Sequence, residues 1–320
     1  MLAALGRWLR GKIAGVYPWT NAYGCARTLL ALGTLSTLVF SDTATLFRPS
    51  PGIPAFVCEG AIRMSAFCLV APRHVGVVRW VAIMLLVIVA SGWRPRLTGV
   101  VHWWISFSFM AVVRIADGGD QLTAILTMLL IPVTLTDPRR WHWDALKPPR
   151  ETPETTVRQM LALSSLMVVR IQVSIVYFES AVAKLRVPEW ADGTAIYYWF
   201  TDPRFGAAPW LRPITTPLLH NPTTVVLLTW GPILLEVLLF TGLVMDRRYR
   251  KSLLVAGITF HGGIAIVQGL GSFALAMWGA LVLFLYPLNE QIGFLRQLAA
   301  GQGLRWKRLR PRNEVALAGD

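Results

Sequence analysis

Long apolar runs of nearly equal length constrain this chain more than any other sequence feature. We identify eight such runs, separated by short segments that hold most of the charged residues. About 20 apolar residues suffice for a helix to cross the hydrocarbon core. Lipid offers no hydrogen bonds to the backbone, and a helix satisfies the backbone N–H and C=O groups within the segment itself. The sequence therefore predicts an all-α polytopic membrane protein with about eight transmembrane helices, near 22–41, 76–92, 97–114, 120–136, 157–183, 222–245, 252–268 and 271–288.

The charge content supports a membrane protein and argues against nucleic-acid binding. Only 15% of the residues are charged, against roughly 25% in soluble domains. The net charge is +14, but no zinc-finger spacing, RNA-binding signature or basic recognition helix accompanies it. The positive residues lie in loops and in the C-terminal segment, which favours anionic membrane lipids as partners and excludes nucleic acid.

The distribution of Lys and Arg predicts the orientation. With the N-terminus inside, nineteen Lys and Arg residues lie in inner segments and seven in outer segments, which is a positive-inside bias. Both termini are therefore expected in the cytoplasm. The two long outer segments are 42–75 and 186–221.

We expect three parts along the chain. Residues 1–18 form a basic amphipathic N-terminal segment, with a helix at 2–16 on the inner leaflet. Residues 19–290 form the transmembrane domain, and residues 291–320 form a basic cytoplasmic tail.

The fifth predicted span carries two polar stripes. Arg170, Tyr177 and Lys184 are seven residues apart, so successive members lie only ~20° apart around a helix. Gln172 and Glu179 form a second stripe with the same spacing. Charged side chains at membrane depth need partners or water, so neither stripe should face lipid. Arg170 and Glu179 fit structural partners better than catalysts, because buried charges need partners merely to be tolerated.

Lys184, at the outer end of this span, has two readings. It is a lysine that extends its ammonium to the membrane surface, or it is a partly desolvated lysine that acts as a base.

Two further ionisable residues lie within predicted spans. His261, followed by two glycines, is either a packing residue or part of a functional site. Glu236 follows Pro232, where we expect the helix to kink. The sequence leaves its partner open among Arg27, Arg114 and Arg170.

The segment 117–121 (DGGDQ) joins the third and fourth spans on the outer side. Its carboxylates could bind a cation or position a proton, but a helix N-cap from Asp120 is the simpler interpretation.

Cys58 and Cys68 are both expected outside, where a disulfide is permitted. They can pair only if the chain bends between them, and two inert thiols fit equally well. No zinc motif, phosphate-binding loop, dinucleotide fingerprint or nucleophile elbow is present, so no metal site is expected.

One group of motifs resembles a known membrane family. Residues 177–185 (YFESAVAKL) are followed by 190–193 (WADG) and by two tyrosines at 197–198. Together with 260–261 (FH), 271–273 (GSF) and Met277, they resemble the horizontally transferred transmembrane (HTTM) domain, shared with the vitamin K-dependent γ-carboxylases. The resemblance extends over about 19–287.

Within that superfamily, three segments resemble the sporulation-delaying protein B family of bacteria. They are 18–24 (PWTNAYG), 99–104 (GVVHWW), and 117–121 together with 135–137 (LTD). This resemblance implies a multi-pass protein of the bacterial cytoplasmic membrane that matures an exported antimicrobial or toxin peptide. The partners that it implies are the toxin precursor and a small protein encoded nearby.

The carboxylase resemblance implies a chemistry. The resemblance implies that Lys184 corresponds to the catalytic lysine that deprotonates a reduced quinone. It also implies that His261 corresponds to a histidine of those enzymes. A quinone or hydroquinone is the cofactor that it implies. We expect these residues in an outward-facing polar cavity, supported by Arg170, Tyr177, Glu179, Glu236 and Asp120.

Two functional hypotheses follow. In the first, the protein is a carboxylase-like, quinone-dependent enzyme that modifies an exported peptide, with Lys184 as the base. In the second, it is a non-catalytic scaffold, exporter or immunity factor for the same peptide. A proton-coupled transporter is the weaker third alternative, because the sequence shows no internal repeat.

Overall fold

The computed structural model describes residues 11, 16–48, 57–70, 72–114, 116–144, 152–203 and 205–295. The part of the chain described is helical, apart from one isolated bridge between Trp93 and Trp141. Short 3₁₀ helices occur at Gly60–Met64, Pro72–His74 and Pro209–Leu211. The α-helices are α1 (Asn21–Phe40), α2 (Thr43–Leu46), α3 (Val75–Ser91), α4 (Pro95–Val112), α5 (Gly118–Leu129), α6 (Ile131–Thr136), α7 (Pro153–Leu185), α8 (Pro188–Ala191), α9 (Ala195–Thr201), α10 (Arg212–Leu219), α11 (Pro222–Thr241), α12 (Arg247–Gln268) and α13 (Gly271–Leu285).

The helices identify the chain as a membrane protein. Within the described residues, α1, α7, α11 and α12 are long and apolar enough to cross a membrane, while α3 and α13 are shorter apolar helices. Large apolar side chains remain exposed along α11, including Leu227 and Leu234, as suits a surface in contact with lipid. Seven of the predicted runs coincide with single helices, and the fourth coincides with α5 and α6 together.

A break divides the fourth predicted run. Pro132 has no backbone N–H to donate, so a continuous helix would lose a hydrogen bond there. The structure ends α5 at Leu129 and begins α6 at Ile131. The Ser165 hydroxyl of α7 donates to the carbonyl of Leu129 beside the break. A neighbouring helix thus satisfies the polar backbone that the break exposes.

The centre of the bundle is an antiparallel contact between α1 and α13. A Cβ on Gly279 would lie 2.9 Å from the carbonyl oxygen of Ala26, and one on Gly33 would lie 3.1 Å from that of Ser272. Glycines therefore allow the two backbones to approach closely. Around this contact, α5, α7 and α12 add apolar side chains to one core cluster. A second cluster fills the space between α1, α3 and α4.

The first predicted outer segment is bent, not a continuous helix. Cys58 and Cys68 form a disulfide with their Cα atoms 5.8 Å apart, and the chain between them turns through the 3₁₀ helix at Gly60–Met64. Ser65 and Ala66 then bind Ser108 at the end of α4: Ser65 Oγ donates to its carbonyl, and the amide of Ala66 donates to its hydroxyl. The bend that pairing requires is thus present.

Two predicted segments fall mainly outside the described residues. The helix expected at 2–16 lies largely in 1–10 and 12–15, and the tail expected at 291–320 lies largely in 296–320.

Candidate functional site

α7 is the helix that carries most of the site. Thr152 caps its N-terminus by accepting a hydrogen bond from the amide of Thr155, and Pro153 occupies the first turn, where a missing N–H costs nothing. The helix then continues for 33 residues to Leu185. Tyr177 and Lys184 lie on one face, with Tyr177 buried and Lys184 half-buried near the C-terminus.

Lys184 forms an ion pair with Glu236 of α11. Its Nζ lies 2.7 Å from Oε1 and 2.9 Å from Oε2 of Glu236. Nζ also donates to Ser180 Oγ at 2.7 Å, and Ser180 in turn donates to Glu236 Oε1 at 3.0 Å. The Glu236 side chain is 5% exposed and that of Lys184 is 21% exposed. The ammonium is thus held by two side chains, and the lysine is the more exposed partner of the pair.

A short helical cap covers the ion pair. Lys184 Nζ lies 5.5 Å from the centre of the Trp190 ring, within range of a cation–π contact. After Trp190 the chain turns at Gly193, whose φ of +87° favours glycine. A Cβ at that position would lie 3.3 Å from Val226 of α11. The turn therefore rests against the helix that supplies Glu236, and this fixes Trp190 over the lysine.

A second polar pair involves a residue of α7 that lies nearer the N-terminus of that helix. The Tyr177 hydroxyl and His261 Nε2 of α12 are 3.1 Å apart, and both residues are at least 97% buried. The rings of Phe260 and Phe273 lie 4.9 and 5.6 Å from the His261 ring, centre to centre. His261 Nδ1 has no hydrogen-bond partner among the described residues. The pair therefore sits in an apolar surrounding with one polar atom unused.

The structure brings four of the predicted site residues into these two pairs. Lys184 with Glu236 and Tyr177 with His261 join α7 to α11 and to α12. The residues suggested from sequence as partners for Glu236 were wrong, since Lys184 takes that place. The reason is that α11 runs antiparallel to α7: Ser174 donates to the carbonyl of Phe240 near the end of α11, which brings Glu236 beside Ser180 and within reach of the Lys184 ammonium.

The other predicted residues lie elsewhere. Arg170 donates to the carbonyls of Leu283 and Tyr286 at the end of α13. It is two heptads from Lys184, which is ~21 Å along a helix. Glu179 is exposed, because two residues from Tyr177 correspond to ~200° around the helix. Gln172, the other member of this stripe, is half-buried.

Asp120 belongs to a helix cap. Asp117, not Asp120, is the N-cap of α5 and accepts from the amide of Asp120 at 3.0 Å. The Asp120 carboxylate accepts in return from the amide of Asp117 at 3.1 Å, completing a capping box. The prediction of a helix N-cap in this segment was correct, but the capping residue is Asp117 and not Asp120. Among the described residues, no group of three His, Cys, Asp or Glu side chains is placed to hold a metal ion.

The arrangement can transfer a proton between Lys184 and Glu236. Two oxygens at 2.7 and 2.9 Å make this a charge-assisted, bidentate interaction. For Lys184 to accept a proton from a substrate, its own proton must first move to Glu236 or leave. Side chains fix both groups in position, so the site is preorganised for that exchange.

The site as arranged does not fit a quinone. A quinone ring would have to reach Nζ, yet Ser180 and Glu236 bind Nζ and Trp190 covers it. The ion pair would have to open before a ring could approach. We therefore derive no step through a quinone.

Sequence reasoning missed three residues of this site. Ser180 lies four residues before Lys184, so the helical spacing alone could have placed it beside the ammonium. Trp190 and Phe273 stand in the motifs that carry the resemblance, but no spacing rule assigns their contacts.

Fold and site together define a helical membrane protein with a partly buried Lys–Glu ion pair beneath an aromatic cap. Residues 64–288 match the model of the HTTM domain. The chain is 38% identical over 305 residues to the uncharacterized protein YitO of Bacillus subtilis (strain 168), covering 94% of this chain and 95% of that protein. It is 36% identical over 286 residues to the sporulation-delaying protein SdpB of the same organism, covering 89% and 87%. The chain therefore belongs to the HTTM domain family and, within it, to the family of sporulation-delaying protein B. No solved structure matches it.

Proposed function

We propose that this protein spans the bacterial cytoplasmic membrane eight times, with both termini in the cytoplasm and the Lys184 ion pair near the outer face. The excess of Lys and Arg in the inner segments supports this orientation. The disulfide between Cys58 and Cys68 supports it independently, because such bonds persist in oxidising compartments. In this topology residues 19–290 form the functional domain.

Its role is the maturation of an exported toxin peptide. The support is membership of the sporulation-delaying protein B family together with a site near the face from which a peptide leaves the cell. The partners are membrane lipids, the toxin precursor and a small protein encoded nearby.

In the role we favour, Lys184 and Glu236 modify the peptide, with Lys184 as the proton-accepting residue. One observation carries this proposal: a lysine and a glutamate, held by Ser180 and covered by Trp190, lie at one end of a membrane helix. Charged groups at membrane depth are costly and commonly mark functional sites. Tyr177 and His261 form a second polar pair on the same helix face.

A specific observation also favours the second role, a non-catalytic scaffold, exporter or immunity factor. The ion pair satisfies itself: Glu236 accepts from both Lys184 and Ser180. A pair with this geometry also serves to lock α7 to α11 and needs no substrate to explain it.

A charge exchange distinguishes the two roles. We would express wild type, a deletion, Lys184→Ala and the double variant Lys184→Glu/Glu236→Lys, and follow the exported peptide by mass spectrometry. Lys251→Ala serves as the control, because Lys251 forms an exposed ion pair with Glu290.

The enzyme proposal expects Lys184→Ala and the double variant, both present at normal level in the membrane, to lose the same peptide modification as the deletion. The scaffold role expects the double variant to mature the peptide normally, since the pair is restored with reversed charges. Normal maturation by Lys184→Ala would reject the enzyme proposal.

A further inference from the structure

A second buried polar cluster lies between α1 and α4. We define the Arg27 cluster as Tyr23 and Arg27 of α1 with Thr98, His102 and Ser106 of α4. In each helix its members are four residues apart and therefore share one face. All five are buried, and Arg27 and His102 are each 1% exposed.

One hydrogen bond joins the two helices within the cluster. Arg27 Nη2 donates to Thr98 Oγ1 at 2.6 Å. The Thr98 hydroxyl lies 2.8 Å from the carbonyl of Trp93, to which it donates. Thr98 is therefore fully used, and it meets only part of the donor capacity of the guanidinium.

Five further polar atoms of the cluster lack partners among the described residues. Arg27 Nε and Nη1, the Tyr23 hydroxyl, His102 Nε2 and Ser106 Oγ are all buried without a hydrogen bond. Each such atom costs free energy, and native proteins nearly always satisfy them. Four of these five atoms belong to side-chain groups that can donate a hydrogen bond: the guanidinium, the phenol and the imidazole.

Within the part of the chain that the structure describes, the charge around the cluster is not fully compensated. Asp137 is the carboxylate whose field reaches Arg27, but Arg139 already binds it through two contacts, at 2.9 and 2.8 Å. Arg27, Arg139 and Asp137 together carry one net positive charge. An isolated charge in a low-dielectric interior is strongly unfavourable unless an opposite charge accompanies it.

We propose that the Arg27 cluster binds a small monovalent anion, of the size of chloride, within the membrane domain. One negative charge neutralises the cluster, and the free N–H and O–H groups of Arg27, Tyr23 and His102 supply its hydrogen bonds. Because the cluster is buried between two helices, we expect a small anion to enter it and a larger one to be kept out. Within the described residues, no hydrogen bond links this cluster to the Lys184 ion pair, so the site is separate from the proposed active site.

The test uses the purified full chain in detergent. Thermal unfolding is measured while chloride replaces gluconate at constant ionic strength, since gluconate is too large for the site. We expect the Tm of wild type to rise with chloride and to saturate. Tyr23→Phe, which loses a single oxygen, should shift the half-saturating chloride concentration upward by about fivefold to tenfold. Arg27→Gln should abolish the chloride dependence.

Arg79→Gln is the control, because Arg79 donates to the carbonyls of Leu38 and Val39 outside the cluster. It should keep the chloride dependence of wild type. Equal Tm values for wild type in chloride and gluconate would overturn the proposal in favour of buried water. An unshifted titration in Tyr23→Phe would overturn it too, because the anion would then act elsewhere. This second result decides the matter even if Arg27→Gln does not fold.

Discussion

Glu236 holds both carboxylate oxygens against Lys184 Nζ, at 2.7 and 2.9 Å, although the two residues come from different helices and are 52 positions apart. The contact ties α11 to the C-terminal end of α7, directly beneath Trp190. The two partners differ in exposure, since the Lys184 side chain is 21% exposed and that of Glu236 is 5% exposed. This asymmetry makes the consequences of removing either partner unequal.

We expect Lys184→Met to destabilise the protein more than Glu236→Gln. Removing the lysine leaves a carboxylate buried without its counter-charge, which costs about 3 kcal/mol or more. Removing the charge of Glu236 leaves an ammonium that can turn toward water, at a cost of about 1–2 kcal/mol. Denaturant unfolding in detergent micelles measures both values.

Lys251→Met is the matched control for that comparison. Lys251 and Glu290 form an ion pair in which both side chains are about half exposed or more, and such pairs contribute less than about 1 kcal/mol. Equal losses in Lys184→Met and Glu236→Gln would show that exposure does not determine the cost here.

Tyr177→Phe should lower the free energy of unfolding by about 1–2 kcal/mol. The change removes one hydroxyl and leaves His261 Nε2 buried without its partner, so both ring nitrogens of His261 would then be unpaired. Tyr249→Phe, at an exposed position, should change stability by less than about 0.5 kcal/mol. Similar values for the two variants would contradict the importance of the buried hydrogen bond.

The double variant Cys58→Ser/Cys68→Ser should lower the free energy of unfolding by about 2–3 kcal/mol, as expected for a disulfide that closes a loop with a sequence separation of 10.

In intact cells, a membrane-impermeant maleimide should label Cys58 and Cys68 only after reduction. Cys25, a free cysteine in α1, should stay unlabelled. Labelling of Cys58 without reductant would show that the bond is absent, and failure to label after reduction would contradict the outward orientation.

His142 should make stability fall as the pH drops below about 6.5. The residue lies after α6 and is fully buried, with its ring closely packed against Gly24 and Gly92. Burial, and next the positive charges of Arg27 and Arg139, lower the pKa of His142 well below its usual value of 6.5. The unfolded chain therefore binds a proton that the folded protein refuses. The stabilisation is present above pH 6.5 and is lost progressively as the pH falls below it.

Thermal unfolding between pH 5 and 8 measures this effect. His142→Gln should reduce the fall in Tm over this range even if its Tm is lower throughout. His220→Gln, at an exposed position, should retain the fall seen in wild type. A fall of the same size in His142→Gln would assign the pH dependence to other groups.

The positions of the helices could be predicted from sequence because apolar runs of membrane length leave few alternatives. All eight predicted runs fall on helices, and Pro132 explains the break that divides the fourth. The pairing of Glu236 could not be predicted, because hydropathy places helices along the chain but does not say which faces meet. The relative height of α7 and α11 decides the partner, and contacts such as Ser174 with Phe240 set that height.

The exposed position of Glu179 has a different cause. Its seven-residue spacing from Gln172 is real, but a stripe at this spacing also occurs on surfaces that face away from the bundle. Only the neighbours of a helix decide which stripe is buried. Tyr177 lies against His261 and is buried, whereas Glu179, two residues later, is exposed.

The contacts along α7 make it the fixed element of the bundle. Ser165 holds it to the break after α5, Arg170 to the end of α13, and Ser174 to the end of α11. These contacts act at successive heights, so sliding α7 along its axis would break all of them at once. Any opening of the Lys184 ion pair must therefore come from movement of the part of α11 that carries Glu236 and of the cap around Trp190, while α7 stays in place.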